Sequence, residues 1–551
     1  MTDDYTTPDY LWWRDGVIYQ IYPRSFADSN GDGVGDLPGI IAHLDHLAGA
    51  DVSSDADSLG IDGLWLSPIY SSPQYDFGYD VSDYCDIDPA FGTLDDFDTL
   101  VAEAHKRGIR IIMDLVLSHS SHQHPWFVES RSSRDSPRRD WYIWRDARPG
   151  AKLPNNWQSV FGGPAWEWDD LTGQFYLHSF LKEQPDLNWR NPAVKDALFD
   201  VVRFWLDRGV DGFRLDVFNL YFKDDQFRDN PRKLGLRTYD RQRHVYDKDR
   251  PEMHPLLREL RALLDERPER MAVGETFSDQ PVEMAAAYYG KQDDELHLSF
   301  NFDFTHQPWR ARAFHDAIAR WEEALSPGAW PCYVLSNHDV VRHASRYAAG
   351  RNTDARARVA AALLLTLRGT PFLYYGEEIA MRQGRIPRGE IQDPPGKRWW
   401  PFYRGRDGCR TPMPWDALPH AGFSVGPPWL RVNPDYRQRN VVAQRRDPHS
   451  VFHWYRRLIA LRKASPALRR GSYRSLIQRP VHALAYLRET PDQTVLVALN
   501  FSSRPVLAAF DERLPARDWH LFLSTADRPE LEVLGTSLAL APYEACVLGM
   551  A

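Results

Sequence analysis

Short apolar runs alternate with stretches of helical periodicity along most of the chain after residue 16. Strands are predicted at residues 17–21, 63–66 and 109–113, with one helix beginning at Leu37 and another over residues 93–107. Later apolar runs at 271–274, 298–302, 332–335 and 371–374, and the strand inside 211–220, bring the count to eight. Eight strands alternating with helices predict an α/β fold of the (β/α)8 or TIM-barrel type, whose functional groups lie at the carboxyl ends of the strands.

The periodicity breaks between residues 119 and 185, where aromatic residues are dense. An insertion of this length has to fold as a small lobe of its own, here after the third predicted strand. The barrel pattern resumes at Asn191 and Pro192, which are typical of a helix N-cap followed by proline. Short alternating runs at 483–487, 494–499 and 545–548 predict a C-terminal antiparallel β domain. The predicted domains are a barrel in two parts (1–118 and 186–470), the inserted lobe (119–185) and the β domain (471–551).

Charge and cysteine usage exclude several classes of protein. The 551 residues carry 67 Lys and Arg against 76 Asp and Glu, with no basic block, which argues against nucleic acid as a partner. Four scattered cysteines without CxxC spacing do not form a disulfide framework, so a reducing compartment is expected. The N-terminus lacks a secretory signal, and the longest apolar run, 359–367, is too short to span a bilayer. We expect a cytoplasmic protein with no membrane partner and no organic cofactor.

Ionisable side chains follow four of the predicted strands. Within 211–220, DGFRLDVFNL, Arg214 and Asp216 are two residues apart and share one face of a strand. A guanidinium beside a carboxylate favours the ionised form that a nucleophilic aspartate requires. Taken alone, the pair is equally well explained as a structural ion pair. Apolar runs also precede 114–119 (DLVLSH), 274–277 (GETF) and 336–339 (SNHD), so carboxylates are predicted at four strand ends.

Together and in this order, the four stretches resemble the signature regions of the α-amylase family, glycoside hydrolase family 13, and nearly the whole chain fits the resemblance. Retaining glycoside hydrolysis needs two carboxylates about 5–5.5 Å apart, one attacking the anomeric carbon and one protonating the departing oxygen. Asp216 is the predicted nucleophile, and Glu275 is the predicted acid, kept protonated by negative charges around it. The resemblance implies that Asp339 binds sugar hydroxyls and stabilises the transition state, and that the inserted lobe roofs the substrate pocket.

The resemblance also implies a pocket for one glucose unit. It assigns His119 and His338 to hydrogen bonds with hydroxyls of the first glucose, together with Asp76 and Tyr79 of the DFGYD stretch. A lone histidine at a strand end is more often structural, and it is the resemblance that favours sugar binding here. Ser118 stands where the family usually has asparagine, which puts the hydrogen bonds of that position in question.

Arg406, in GRDGCRTPMPW, matches an arginine that closes the non-reducing end of the pocket in exo-acting α-glucosidases, and Arg410 is the weaker candidate. If Arg406 meets Asp76 over the sugar, a longer chain cannot run through, so the enzyme releases single glucose units. A buried structural ion pair is the alternative explanation for Arg406. Phe180 in the lobe and Arg214 complete the predicted substrate-binding set.

The glycine-rich stretch 28–36, DSNGDGVGD, has the alternating oxygen ligands of a divalent-cation loop. Its predicted ligands are Asp28, Asn30, Asp32, the Val34 carbonyl and Asp36. It is not an EF-hand, because glycine stands at residue 39 where that motif has a bidentate glutamate. A solvated acidic turn is the alternative. The family has a matching loop, so a structural calcium or magnesium ion is expected, away from the acids.

The predicted function is an exo-acting retaining α-glucosidase that takes short α-glucosides and also transfers glucose to sugar or alcohol acceptors. In the resembled enzymes, valine directly after the nucleophile is common in members that act on α-1,6 linkages. This chain has Val217 there, which favours an oligo-1,6-glucosidase. The long stretch that follows, through residue 249, resembles that of bacterial members that prefer α-1,4 disaccharides such as maltose, and this longer resemblance is given more weight than the single valine. A sucrose isomerase or trehalose synthase shares the same acids and stays open, although no RLDRD-type loop is evident. A non-enzymatic transporter subunit of this fold is disfavoured because the acids are present.

Overall fold

A closed barrel of parallel strands forms the centre of the molecule. The computed structural model describes residues 10–48, 58–150, 152–514, 519–528 and 535–550. The barrel strands, β1 to β8 in chain order, are Ile18–Ile21, Gly63–Leu66, Arg110–Leu115, Gly212–Leu215, Met271–Gly274, Leu298–Ser299, Cys332–Val334 and Thr370–Tyr374. Each pairs with its neighbour in sequence, β1 pairs with β8, and a parallel bridge between Phe300 and Cys332 joins β6 to β7. The predicted TIM barrel is confirmed.

Side chains on each strand alternate between the barrel axis and the surrounding helices. On β1, Ile18 belongs to a small buried cluster inside the barrel, together with Trp65 and Phe372. Its neighbours Tyr19 and Ile21 belong to the larger cluster between strands and helices. The barrel interior is therefore a packed core, and room for a ligand is left only at its ends.

Helices surround the barrel. Those of the barrel domain are Trp12–Asp15, Leu37–Ala42, Leu44–Leu47, Leu94–Lys106, Pro192–Asp207, Met253–Asp265, Pro281–Ala287, Phe302–Thr305, Ala311–Ala324, His343–Arg346, Thr353–Thr366, Pro394–Trp399, Val441–Arg446, Val451–Ala464 and Pro466–Arg470. Thr93 and Asp96 form a reciprocal capping box on Leu94–Lys106, and Asn191 caps Pro192–Asp207. The strand predicted at 298–302 is shorter than expected, because Asn301 caps a helix that begins at residue 302.

The segment after β3 folds as the predicted separate lobe. It contains the helix Pro125–Ser130 and a three-stranded antiparallel sheet in which Gln174–Leu177 lies between Trp144–Arg145 and Trp166–Asp169. Trp157 and Trp166 lie in a buried cluster of its own. An antiparallel bridge between His119 and Asp186 ties the two ends of the lobe together at the carboxyl end of β3. The lobe is thereby fixed beside the mouth of the barrel.

The C-terminal part is an antiparallel β domain, as predicted. Its five-stranded sheet contains Ser472–Ser475, Ala483–Glu489, Thr494–Asn500, Ala545–Met550 and His520–Ser524, and Val506–Ala509 pairs with Ser537–Leu540. Within the described ranges, no helix combines the length and apolarity needed to cross a membrane. Residues 1–9, the start of the segment read for a secretory signal, lie outside the described residues. The exact boundaries 118/119, 185/186 and 470/471 stay predictions.

Candidate active site

Arg214 binds carboxylates from three neighbouring strand ends. It is 1% exposed, and its Nη1 lies 2.6 Å from Asp114 Oδ1 and 2.7 Å from Asp216 Oδ1. Its Nη2 contacts Glu275 Oε2. Asp114 lies in β3, Arg214 in β4, and Asp216 and Glu275 directly follow β4 and β5. Adjacent parallel strands bring these ends together, so one guanidinium holds both predicted catalytic acids.

The electrostatics of this group differ from the expectation. Burial raises the pKa of Asp216 to about 6, with Asp114 adding to the rise and Arg214 opposing it. Arg214 was expected to keep the pKa of Asp216 low. It does lower this pKa, but desolvation raises it by more, so the net shift is upward. Glu275, expected among negative charges, also contacts a guanidinium. Asp216 is still mainly ionised at neutral pH.

Asp339, after β7, lies between two arginines. Arg410 Nη2 is 2.9 Å and Arg406 Nη1 is 3.3 Å from Asp339 Oδ1. Burial alone would raise the pKa of Asp339, but the guanidiniums of Arg406 and Arg410 hold it well below its usual range. Asp339 therefore stays negatively charged on the wall of the site, and its pKa is shifted downward whereas that of Asp216 is shifted upward.

His338 lies in a buried chain of hydrogen bonds. Gln20 Nε2 donates to its Nδ1 at 2.8 Å, so Nε2 carries the proton and donates to the Tyr79 hydroxyl at 2.6 Å. The hydroxyl in turn donates to Asp114 Oδ2 at 3.1 Å. Burial lowers the pKa of His338 to about 3, so the imidazole is neutral. Both ring nitrogens are occupied, and His338, predicted to bind the sugar directly, lies beneath Tyr79.

His119 is fixed in the same way on the lobe side. Its Nε2 lies 2.9 Å from the Tyr79 carbonyl, and Ser118 Oγ lies 2.7 Å from Nδ1. A carbonyl accepts only, so Nε2 carries the proton and the Ser118 hydroxyl donates to Nδ1. The Tyr79 carbonyl therefore sets the tautomer of His119, and the Ser118 hydroxyl adds a bond that holds the orientation of the ring. Burial lowers the pKa of this histidine.

Arg406 and Asp76 meet, as the resemblance led us to expect. Nη2 of Arg406 lies 2.8 Å from Asp76 Oδ1 and 2.7 Å from Asp393 Oδ1. Burial raises the pKa of Asp76, and Arg406 opposes that rise. Arg410 binds Asp339 and donates through Nε to the His338 carbonyl at 2.8 Å, so both arginines belong to the site.

A cavity of about 530 Å³ lies at the carboxyl ends of the strands, against the lobe. Of the predicted residues, its wall contains Asp76, Tyr79, His119, Phe180, Asp216, Glu275, Asp339 and Arg406. The other lining residues are Val160, Phe161, Gln184, Val217, Arg237, Phe277, Phe302, His306, Asn337, Val340, Pro395, Trp399 and Tyr403. Arg214 and His338, both 1% exposed, lie behind this wall. The size suits a small ligand with aromatic and polar contacts.

Several site residues were missed by the sequence analysis. Gln184 Nε2 lies 3.3 Å from Asp76 Oδ2 and 3.1 Å from His119 Nε2, and Asp393 holds Arg406. Gln184 lies in an irregular segment of the lobe. Asp393 is the N-cap of the helix Pro394–Trp399, and the Asp-Pro pair is a signal for such a cap, but the sequence does not show that this carboxylate also binds Arg406.

Val217, the residue after Asp216, has a strained backbone. Its φ of +30° and ψ of 44° are left-handed, which is rare for a β-branched residue. It is 9% exposed and lines the cavity. Such strain is found mainly where a site fixes a side chain, and here it turns the chain directly after the predicted nucleophile.

The loop 28–36 follows β1, and none of its residues is among those that line the cavity. Backbone amides of Gly31 and Gly33 donate to the two oxygens of Asp28, each at 2.8 Å, and Val34 N donates to Asp32 Oδ1 at 2.8 Å. Ser424 Oγ lies 2.5 Å from Asp28 Oδ2, and Asp36 caps the helix Leu37–Ala42. Across the described ranges, no three Asp, Glu, His or Cys side chains converge as a ready metal cage.

Comparison with known proteins agrees with this geometry. Residues 20–471 match the model of the α-amylase catalytic domain, and residues 473–547 match that of the maltogenic amylase C-terminal domain. The chain is 47% identical to a probable α-glucosidase of Rhizobium meliloti (strain 1021), over 95% of each chain. It is 40% identical to an oligo-1,6-glucosidase of Parageobacillus thermoglucosidasius, over 98% of each.

Among solved structures, the α-glucosyl transfer enzyme XgtA is similar over 98% of this chain and 100% of its own, with a TM-score of 0.90 and 44% sequence identity. A family model that spans most of the chain, relatives that match it end to end, and acids at the carboxyl ends of a TIM barrel all agree. The chain therefore belongs to the α-amylase family of glycoside hydrolases, glycoside hydrolase family 13.

Proposed function

We propose that the protein is an exo-acting, retaining α-glucosidase that removes one glucose from the non-reducing end of short α-glucosides. The proposal rests on the contact of Arg214 with both Asp216 and Glu275. These two acids lie in the wall of the cavity, which the ion pair of Asp76 and Arg406 also lines. Two carboxylates on one guanidinium are close enough to act on the two sides of one glycosidic bond.

In the proposed reaction Asp216 attacks the anomeric carbon and forms a glycosyl ester, while Glu275 protonates the departing oxygen. Glu275 then deprotonates a water or an acceptor hydroxyl, which displaces Asp216 and restores the original anomeric configuration. Asp339 keeps its negative charge beside the developing oxocarbenium ion and the sugar hydroxyls. Its two arginines hold it in place.

Tyr79, Phe180 and Arg406 are the proposed contacts of the bound glucose. His119 lines the cavity beside them, but both of its ring nitrogens are already bonded to the protein, so its proposed contact with the sugar is through the ring. Phe180 lies over His119 with ring centroids 5.3 Å apart, which places an apolar face on the lobe side of the cavity. Arg214 and His338 act from behind the wall, through Asp216 and through Tyr79. The partners are small α-glucosides with sugar or alcohol acceptors. The four unpaired cysteines support a cytoplasmic location.

The proposed substrate is α-1,4 linked, with maltose preferred. The loop after β4 supports this, because its sequence resembles that of relatives that prefer α-1,4 disaccharides, and Arg237 from that loop lines the cavity. Val217 in the cavity wall favours the second candidate, an oligo-1,6-glucosidase acting on isomaltose. A single side chain usually shifts specificity by only about 1–3 kcal/mol, so the loop is given more weight.

Incubation with maltose, isomaltose, sucrose and trehalose, followed by chromatography of the products, tests the proposal. Glucose and transfer products from maltose are expected. Conversion of sucrose or trehalose into an isomeric disaccharide would instead identify an isomerase or synthase. No product from any of the four sugars would contradict α-glucosidase activity.

A divalent cation on the loop 28–36 is a separate proposal. Its ligands would be Asp28, Asn30, Asp32, the Val34 carbonyl and Asp36. In the structure the carboxylates of Asp28, Asp32 and Asp36 accept hydrogen bonds from nearby groups and do not converge, so an ion would have to draw them together. Carboxylates keep free lone pairs for this, and oxygen ligands of this kind suit a hard cation. The ion would neutralise the acidic loop and stabilise it.

A further inference from the structure

Lys223 is a buried lysine that the proposed reaction does not use. It is 4% exposed and lies seven residues after Asp216, beyond the turn Phe218–Leu220. A buried ammonium needs a partner for each of its donors. Here it has three: the Leu220 carbonyl at 2.6 Å, Ser179 Oγ at 3.1 Å and Asp186 Oδ2 at 3.0 Å.

The three partners come from two parts of the molecule. Leu220 belongs to the segment that follows Asp216, whereas Ser179 belongs to the lobe and Asp186 lies where the lobe rejoins the barrel. Asp186 also binds Ser179 directly, with Oδ1 2.7 Å from the Ser179 amide and Oδ2 2.6 Å from its hydroxyl. Lys223 therefore joins the lobe to the segment that carries the predicted nucleophile.

Ser179 and Asp186 are the two ends of a turn that reaches the cavity. Between them lie Phe180 and Gln184, both in the cavity wall. Gln184 accepts a hydrogen bond from the Leu181 amide at 3.0 Å, which shapes the turn from within. Since Asp186 closes this turn and Lys223 anchors Asp186, the position of the Phe180 and Gln184 side chains depends on Lys223.

We propose that Lys223 is a positioning residue that couples the Phe180 and Gln184 side of the sugar pocket to the segment carrying Asp216. It touches neither substrate nor reacting atoms. Its role is to fix the distance between the roof of the pocket and the nucleophile, so that a glucose ring held by one is presented to the other. This inference rests on the proposed α-glucosidase function.

The test compares Lys223→Met with the wild-type protein and with Lys463→Met. Lys463 pairs with Asp62 at 3.0 Å and is also largely buried, but lies at the amino-terminal side of β2, so it is a matched control of stability alone. Glucose affinity by calorimetry and kcat and KM on maltose are measured where all three proteins are folded. Lys223→Met is expected to weaken glucose binding and to lower kcat/KM by roughly tenfold or more each. Lys463→Met is expected to lower thermal stability with both constants nearly unchanged.

Unchanged glucose affinity and kcat/KM in folded Lys223→Met would overturn the inference. If the single variant does not fold, Lys223→Met with Asp186→Asn removes both charges and avoids an unpaired buried carboxylate, and the same measurements decide. A wild-type protein that neither binds glucose nor cleaves an α-glucoside would contradict the proposed function itself. Wild-type activity with an unaffected Lys223 variant contradicts only the positioning role.

Discussion

Arg406 and Asp76 form a buried ion pair on the wall of the cavity, with Nη2 2.8 Å from Oδ1. Asp76 follows β2 and Arg406 follows β8, so the pair joins segments from two strands of the barrel. Asp393 holds the same guanidinium at 2.7 Å. Since Arg406 is held by two buried carboxylates, the ion pair is rigid, as expected of a pocket that is closed beyond one terminal sugar.

Arg406→Met should lower kcat/KM on maltose by roughly 10- to 150-fold, because a hydrogen bond to a charged group contributes about 1.5–3 kcal/mol. The variant leaves Asp76 and Asp393 without their common partner. Arg431→Ala is the control, since Arg431 forms an exposed pair with Glu390 and should leave the kinetics unchanged. Full activity of Arg406→Met would show that the pair is purely structural.

The pH dependence follows from Asp216. Burial raises its pKa to about 6, so the nucleophile becomes protonated as the pH falls through 6. Below that pH, kcat/KM should fall about tenfold for each pH unit. Asp339 stays ionised over this range because its pKa is held well below its usual value. A pH profile of kcat/KM whose acid limb lies near pH 4, the ordinary range of an aspartate, would contradict this account.

Arg237 should restrict substrate length. Its guanidinium binds Asp240 through two bonds of 3.0 and 2.9 Å and lies in the cavity wall. We expect wild-type kcat/KM to be higher for maltose than for isomaltose or maltotriose. Arg237→Ala should raise the ratio of maltotriose to maltose several-fold, whereas Arg243→Ala, at an exposed position of the same loop, should not. Wild-type efficiency that rises with chain length would show that the loop does not close the pocket.

The same comparison also tests linkage, because isomaltose and maltose differ in linkage and not in length. The outcome that contradicts the proposed linkage is isomaltose as the best wild-type substrate. It would show that Val217 rather than the loop sets the linkage preference.

Removal of a cation from the loop 28–36 should lower the thermal midpoint by a few degrees without changing substrate preference, because no residue of the loop lines the cavity. Thermal unfolding with chelator, and then with added calcium or magnesium, measures this. Asp32 is exposed, so Asp32→Ala should fold and lose most of the response. Identical midpoints in all conditions, with no metal by elemental analysis, would exclude the proposed ion.

The central part of the site could be predicted because it depends on strand ends. A short apolar run fixes each strand, and the barrel brings the residue after it to the same face as its neighbours. Arg214 and Asp114 are 100 residues apart in the chain, yet they lie 2.6 Å apart in the structure for this reason. The positions of the motifs at the ends of successive strands were therefore enough to predict which acids lie together.

The rest depends on packing that local patterns do not encode. Gln184 lies in an irregular part of the lobe, and Asp393 caps a helix in the long segment after β8; their partners Asp76 and Arg406 are distant in the chain and are brought to them by tertiary packing. The raised pKa of Asp216 results from desolvation, which depends on everything around the carboxylate rather than on its neighbours in sequence. No local pattern marks Lys223 as buried, because a lysine is usually exposed, and it is its 4% exposure in the structure that shows it to be an internal anchor.

The most direct test of the central claim is the covalent intermediate at Asp216. Glu275→Gln should slow both proton transfers yet accept an activated α-glucoside whose leaving group needs no acid. After incubation with α-glucosyl fluoride and peptic digestion, mass spectrometry should find one hexosyl group on the peptide containing Asp216, and none when Asp216→Asn is added. A hexosyl group on another residue, or substantial turnover of aryl α-glucosides by Asp216→Asn alone, would contradict the account.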